Sequence, residues 1–278
     1  MSERCETFNS GLEWLGLALA LAIGLLLVVR GRRNITRSAL LEPVIIAVAY
    51  VTYFGVRSLT EGDVSDAFAH ARDIVRLERD LGIYWEPDLQ SLIVDRDCAV
   101  ALANWVYIWW HWPVIAVAAI WLLLWHPYTY RRFRNAFLIS GGIGLIVFAL
   151  YPVAPPRLVA DLDFVDTVTM HSRGYRVLQP PAFTNQYAAM PSLHFGWNLL
   201  IGLALVRYAP LVAAKAFGVV MPIAMFFAIV VTANHYILDP VAGAALALLG
   251  LALSSVLPPG RELWRRIGRR ERAEEAVP

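Results

Sequence analysis

The sequence predicts an all-α integral membrane protein, a polytopic bundle of about six to seven transmembrane helices, on three observations. Hydrophobic residues make up 58% of the 278 and charged residues only 17%, with a mean hydropathy of +0.55. Those figures exclude a disordered chain, a coiled coil and a secreted disulfide scaffold. The apolar residues also come in blocks near the roughly 20 residues that span a bilayer. Leu12–Val29 is broken only by Glu13, and Ile237–Leu257 holds one acid, Asp239, and no base. Finally, the bases gather between the blocks rather than within them.

Taken in order, the blocks place spans at about 12–29, 39–56, 100–125, 136–151, 194–209, 212–232 and 237–257. The fifth and sixth are short or interrupted by proline (Pro210, Pro222). Two stretches are too polar to span. Segment 57–98 sets Val64, Phe68, Ala71, Val75 and Leu77–Leu81 at near-helical spacing with Asp and Arg between, which predicts one or two amphipathic helices lying on the membrane surface. Segment 152–193, rich in Pro, Tyr and Asn, reads as a structured loop. No repeat or linker divides the chain. Residues 1–38 read as an extra N-terminal helix with a basic loop, 39–257 as the catalytic membrane domain, and 258–278 as a basic tail.

Bases near span ends mark the cytoplasmic side. With seven spans, Arg30, Arg32, Arg33 and Arg37 share one side with Arg131, Arg132 and Arg134, with Arg207 and Lys215, and with the arginines from Arg261 to Arg272. The N-terminus is then outside and the C-terminus cytoplasmic, in a multi-pass protein of the cell membrane. The opposite face carries Glu61, Asp63, Asp66, Asp73, Glu78, Asp80, Asp95 and Asp97. Lys215 is the only lysine, and no basic helix or aromatic stacking platform accompanies the arginines, so no nucleic-acid partner is expected. Cys5 and Cys98 are too few and too far apart for a framework or a metal pair, and whether they bond is left open.

Three polar islands border the later spans: Tyr151-Pro-Val-Ala-Pro-Pro-Arg157, Asn185-Gln-Tyr-Ala-Ala-Met-Pro-Ser-Leu-His194 and Thr232-Ala-Asn-His-Tyr-Ile-Leu-Asp239. The topology puts all three on the outer face. His235 and Asp239 stand at i and i+4, on one face if helical. A carboxylate on one ring nitrogen fixes the tautomer and makes the other a better nucleophile or base. His194 follows Pro191-Ser192, a helix start whose free N–H groups suit an anion. Arg157 supplies a fork for phosphate oxygens. Two histidines, a buried acid and an arginine point to phosphoryl transfer without an obligatory metal or cofactor.

The Pro-Ser-Leu-His194 and His235-x-x-x-Asp239 pair resembles the type-2 phosphatidic acid phosphatase superfamily, whose second and third motifs read PSGH and SRxxxxxHxxxD. The strings AAMPSLH and TANHYILD are similar to its inositol phosphorylceramide synthase-like (inositolphosphotransferase-like) branch. The resemblance covers about residues 40–257 and implies a six-helix phosphatase/phosphotransferase core acting on a membrane lipid. It further implies that His235 attacks phosphorus, Asp239 orients it and His194 protonates the leaving alkoxide. Three positions depart from the pattern: Leu150 stands where the first motif would put a lysine, Leu158 where it would put the proline after Arg157, and Ile229 where the third would put an arginine. Fewer fixed cations suit a phosphodiester better than a monoester.

Around this triad, Arg157, Ser192, Asn234 and Arg57 are candidate phosphate contacts, and His111, Tyr187 and Asn185 candidate supporting residues. His111 lies in Trp105–Trp112, which reads mainly as an aromatic belt at the interface. Arg57 and Arg157 can instead snorkel to lipid phosphate. The expected activity is a phosphotransferase acting through a phosphohistidine, with a lipid phosphate phosphatase as the alternative and a transporter or scaffold as a remote one. A zinc site on His111, His194 and His235 lacks the i, i+4 pairing of familiar helix sites. Transporters keep polar residues at the midplane, whereas these gather at one face.

Overall fold

The computed structural model describes residues 3–31, 41–59, 64–168 and 185–256; side chains before Leu15, and those of Phe54 and 57–59, are not described. Arg57 as a side chain, the basic loop 32–38 and the tail 258–278 therefore lie outside the described residues. The elements are α1 (Glu3–Gly31), α2 (Glu42–Leu59), α3 (Val64–Asp80), α4 (Glu86–Ser91), α5 (Asp97–Trp109), α6 (Trp112–Trp125), α7 (Pro127–Leu150), α8 (Leu193–Tyr208), α9 (Val212–Val231) and α10 (Leu238–Val256). Two 3-10 turns, Pro156–Leu158 and Ala160–Leu162, follow α7. The protein is an all-helical membrane bundle. Among the described residues α7, α9 and α10 are each long and apolar enough to cross a bilayer, and α5 with α6, bent by 40° at their break, together have the length and composition of a broken span or a re-entrant loop. Large apolar side chains face outward along these helices, among them Ile146, Val219, Ile223, Val241 and Leu249. Hydrocarbon tolerates such a surface and water does not.

Two expected boundaries change. The single span over 100–125 is broken at Trp110–His111, with α6 restarting at Trp112. Pro113, near the N-terminus of α6, has no N–H to give to the turn before it, so the ladder stops and resumes there. The fourth span starts at Pro127 rather than near 136, so Arg131, Arg132 and Arg134 stand within α7 and not in a loop. Arg134 there closes on Glu42 at 2.6 and 2.7 Å, pinning the start of α2 to α7 in a half-dry ion pair.

The core runs between α7, α8 and α10, where Phe133, Ala136 and Phe148 meet Leu193, Trp197, Leu200, Leu246 and Ala247. Trp197 donates its indole N–H to Ser140 Oγ at 3.1 Å. The closest approach is at two glycines. A Cβ on Gly196 would overlap the carbonyl of Gly243, and one on Gly243 would overlap the carbonyl of Ser192. Small residues let helix backbones touch in a bilayer, and here that contact lays the start of α8 against the start of α10.

Part of the apolar face of the amphipathic segment is turned onto the protein, while Val64, Leu77 and Leu81 stay exposed. Ala67, Ala71, Ile74 and Val75 of α3 pack on Val153, Ala154, Val159, Ala189 and Tyr236, covering the loops that join the long helices. Arg72 reaches Asp161 at 3.2 Å on the exposed side of this contact. Glu78, expected among the solvated outer acids, is fully buried.

Candidate active site

The site forms where α7 ends, α8 and α10 begin and α9 ends. The C-terminus of α9 is turned by two N–H groups, Asn234 and His235, that both donate to the Ile229 carbonyl at 3.1 Å. Ala233, between them and the helix, takes a left-handed conformation (φ 54°). α10 then opens at Leu238, with Pro240 in the first turn, where a missing N–H costs nothing. His235 is thus in the turn, not on a helix as expected. The i, i+4 pairing survives because Asp239, in the first turn of α10, faces back: His235 Nδ1 lies 3.1 Å from Asp239 Oδ2, and the Tyr236 N–H donates to that same oxygen at 2.9 Å. Both side chains are buried. With a carboxylate on Nδ1, the proton sits there and Nε2 presents its lone pair.

α8 is capped by Ser192, whose hydroxyl accepts the Phe195 N–H at 3.4 Å. The Ser192 N–H donates to the Asp239 carbonyl at 3.0 Å, so the starts of α8 and α10 are tied directly. Ser192, expected as a phosphate contact, is engaged as this cap and is fully buried. His194 follows two residues later, and its ring centroid is 6.1 Å from that of His235. It stacks on Tyr107 at 4.6 Å and meets His111, tilted, at 4.4 Å. His111 in turn lies parallel to Trp197 at 5.8 Å. So the stretch read as an interfacial belt turns Tyr107 and His111 inward at the α5–α6 break, and both are buried.

Asn198 sets the protonation of His111. Its Nδ2 lies 2.7 Å from the His194 carbonyl, which needs a donor, so the amide cannot be turned round. The same Nδ2 lies 3.1 Å from His111 Nδ1. That nitrogen must accept, and neutral His111 carries its proton on Nε2.

Arg157 sits in the first 3-10 turn and points inward, with its side chain 9% exposed, so it does not snorkel. Its N–H donates to the Ala233 carbonyl at 3.0 Å, Nε donates to Asn234 Oδ1 at 3.0 Å, and the guanidinium pairs with Asp166 at 3.2 Å. Asn234 is therefore a strut between Arg157 and Thr232, whose hydroxyl takes its Nδ2 at 2.8 Å. Asn185 and Tyr187 shape the preceding loop. Asn185 Oδ1 accepts the Tyr187 N–H at 2.8 Å, the Tyr187 carbonyl accepts from Val153 at 2.7 Å, and the Tyr187 ring packs on Phe68. Tyr236 closes the back of the turn, its hydroxyl donating to the Ala154 carbonyl at 3.1 Å. Burial, helped by the Asp239 carboxylate, pushes that phenol above its ordinary range, so it stays a donor.

Of the expected residues, His235, Asp239, His194, Arg157, Asn234 and Ser192 come together, with His111 behind them; Asn185 and Tyr187 stand aside. Tyr107, Asn198, Glu78 and Glu86 were not expected. Asn198 had a signal, being polar, inside an apolar block and four residues after His194. Among the described residues no three His, Cys, Asp or Glu side chains group as a metal site.

A buried histidine paired with a carboxylate, a second histidine 6.1 Å away and an inward arginine thus gather at one end of the helical bundle. The chain belongs to the PAP2 superfamily, whose family model matches residues 72–253, from within α3 to within α10. Membership makes it a lipid enzyme of the phosphatase/phosphotransferase type. No curated protein matches the chain, and no solved structure does.

Proposed function

We propose that the protein is a lipid phosphotransferase of the inositol phosphorylceramide synthase-like kind, moving a phosphoryl or phospho-head group through a phosphohistidine on His235. The observation that carries this reading is the Asp239–His235 pair with His194 6.1 Å away. In the first step His235 Nε2 forms a bond to phosphorus, the bond from phosphorus to the leaving oxygen breaks, and His194 gives that oxygen a proton. In the second, His194 takes the proton of the acceptor hydroxyl, its oxygen bonds to phosphorus and the N–P bond breaks. Asp239 stabilises the imidazolium formed on the way.

A diester donor is favoured by the positions where extra cations are missing. Ile229 is fully buried and spends its carbonyl on the turn, while Leu150 faces outward at the end of α7. Arg157 then stands as the cation beside the turn. A cavity of about 460 Å³ between α2, α6, α7 and α8, lined by Tyr53, Trp112, Phe137, Leu145 and Trp197, supports a hydrocarbon-tailed substrate. Two features support a non-cytoplasmic site. The bases Arg131, Arg132, Arg134, Arg207 and Lys215 stand at the other end of the helices that converge on it. Cys98, in the first turn of α5, is disulfide-bonded, as suits an oxidising compartment.

The test is a product assay on purified protein in detergent, wild type against His235→Ala. It offers radiolabelled phosphatidylinositol and phosphatidic acid with and without added diacylglycerol, ceramide or inositol. Transfer of the labelled head group to an added alcohol, abolished with its alkali-stable phosphoenzyme in His235→Ala, is the expected outcome. Inorganic phosphate released from phosphatidic acid faster than any diester turns over would make the protein a phosphatase. Turnover retained in His235→Ala would remove the nucleophile.

A further inference from the structure

Two acids that take no part in this chemistry lie directly behind the nucleophile's turn. Glu78, in the last turn of α3, and Glu86, which opens α4, are both fully buried. Glu86 Oε1 accepts the Ile237 N–H at 2.8 Å, and Glu78 Oε1 accepts the Leu238 N–H at 2.7 Å. Those are consecutive donors at the start of α10, of the kind a helix leaves without an internal partner, and they lie between His235 and Asp239. Two glutamates about 150 residues away in sequence thus cap the helix that carries Asp239.

Their other oxygens, Glu78 Oε2 and Glu86 Oε2, are buried and have no hydrogen-bond partner among the described residues. Accepting from consecutive N–H groups brings the two carboxyls side by side. Two carboxylates are acceptors only and repel, so a bond between them needs a proton in it. The charged groups that act on Glu78 are acids, Glu86 and Asp239. Tyr236 in the turn and Tyr84 between α3 and α4 are acids too; of the bases, Arg79 lies over the Tyr84 ring at 4.8 Å and His235 is engaged with Asp239.

We propose that Glu78 and Glu86 share one proton, and that in this state they are the positioning residues that hold Asp239 and His235 in register. The proposal rests on His235 as nucleophile for its catalytic consequence, but not for the shared proton. Burial, with the neighbouring Glu86, raises the Glu78 carboxyl to about 9. Because that is above the value of a free glutamate, the folded chain keeps a proton that the unfolded chain releases. The pair's contribution to stability is complete below about pH 4 and is lost as pH rises toward about 9. Loss of the proton sets two anions against each other, one must swing away, and the start of α10 is released.

Glu78→Gln separates position from proton. Its carbonyl still accepts the Leu238 N–H, and its amide supplies a permanent donor to Glu86. The first experiment is infrared difference spectroscopy of the full chain in detergent, wild type minus Glu78→Gln. A protonated-carboxyl stretch present at pH 7 and titrating away near 9 is expected; its absence overturns the shared proton. The second follows phosphatidylinositol and phosphatidic acid turnover against pH. Glu78→Ala should lower kcat by up to ~10²-fold with KM little changed, as misplacement of a reacting group does. Glu78→Gln should restore most of that kcat and lose the alkaline fall near 9. A Glu78→Gln enzyme as poor as Glu78→Ala, or one with the wild-type alkaline limb, overturns the positioning role. If wild type turns over neither lipid, the proposed function fails, and the infrared result still decides the pair.

Discussion

The turn that carries His235 and the turn that carries Arg157 touch, yet they are held by different kinds of bond. Around His235 the ties are to the main chain: Ile229 takes two N–H groups, Asp239 takes the Tyr236 N–H, and Glu86 and Glu78 take the next two. Arg157 has one main-chain tie, to Ala233, but its guanidinium rests on Asn234 Oδ1 and on Asp166, which is partly exposed. A phosphate cannot displace the first set of bonds. It can displace the second, since a charged fork resting on a carboxylate can exchange that partner for phosphate oxygens. In the proposed chemistry His235, as nucleophile, would be fixed before substrate arrives, and Arg157, as cation, would be held ready to be recruited.

The largest expected effect tests the fixed half. His235 Nδ1 and the Tyr236 N–H share one oxygen of Asp239. In Asp239→Ala the ring is free to carry its proton on Nε2, and the Tyr236 N–H is left buried without a partner. Turnover should fall ~10⁴-fold, the scale of a histidine left in the wrong tautomer. In Asp239→Asn two N–H groups still converge on one point, so the side chain must place its carbonyl there and the tautomer is kept. Only the charge is lost, and the fall should be nearer ~10²-fold. Single-turnover formation of phosphohistidine measures both. Equal losses in the two variants would show that charge, not orientation, dominates this turn.

The recruited half predicts a different signature. Removing the cation in Arg157→Ala should raise KM for a phosphate-bearing lipid about 10-fold or more, given the ~1.5–3 kcal/mol of a hydrogen bond to a charged group. Its effect on kcat should be smaller than that of Asp239→Ala. Asp166→Asn, which loosens the resting pair without touching the cation, should lower KM or leave it unchanged. A rise in KM in Asp166→Asn would mean that Asp166 holds Arg157 in its working place, and the contrast between the two turns would fail.

How far the sequence could be read follows the same division. His194, His235 and Asp239 stand out because ionisable residues within or beside apolar blocks are costly, and because their spacing brings them together. Glu78 and Glu86 do not stand out: each lies among other charged residues, as a solvated acid would, and their partners are 160 and 151 positions away. Arg157 was legible as a residue, but its strut Asn234 and its resting partner Asp166 are matters of tertiary contact. The spans were visible as blocks of hydropathy. The break before α6 had its signal in Pro113, but hydropathy alone runs smoothly across it. His111 was legible as a candidate, but Tyr107 was hidden by composition, since an aromatic run has the same letters whether it faces lipid or another buried ring.

The smallest expected effect concerns the second histidine. His194 packs on Tyr107 and His111, and Asn198 places the proton of neutral His111 on Nε2. Asn198→Ala removes the donor shared by the His194 carbonyl and His111 Nδ1. Turnover should fall only a few-fold, within the ~1 kcal/mol of an ordinary buried hydrogen bond. Asn198→Asp sharpens the point: an anionic acceptor would face the His194 carbonyl, and would draw a proton onto His111 Nδ1. His111 would then be biased toward its cationic form beside His194, and a cation there makes His194 harder to protonate. The expected result is a greater loss in Asn198→Asp than in Asn198→Ala, with the acid limb of kcat moved to lower pH. An acid limb unmoved in Asn198→Asp would show that His111 supports His194 by stacking alone, and that its proton has no part in the reaction.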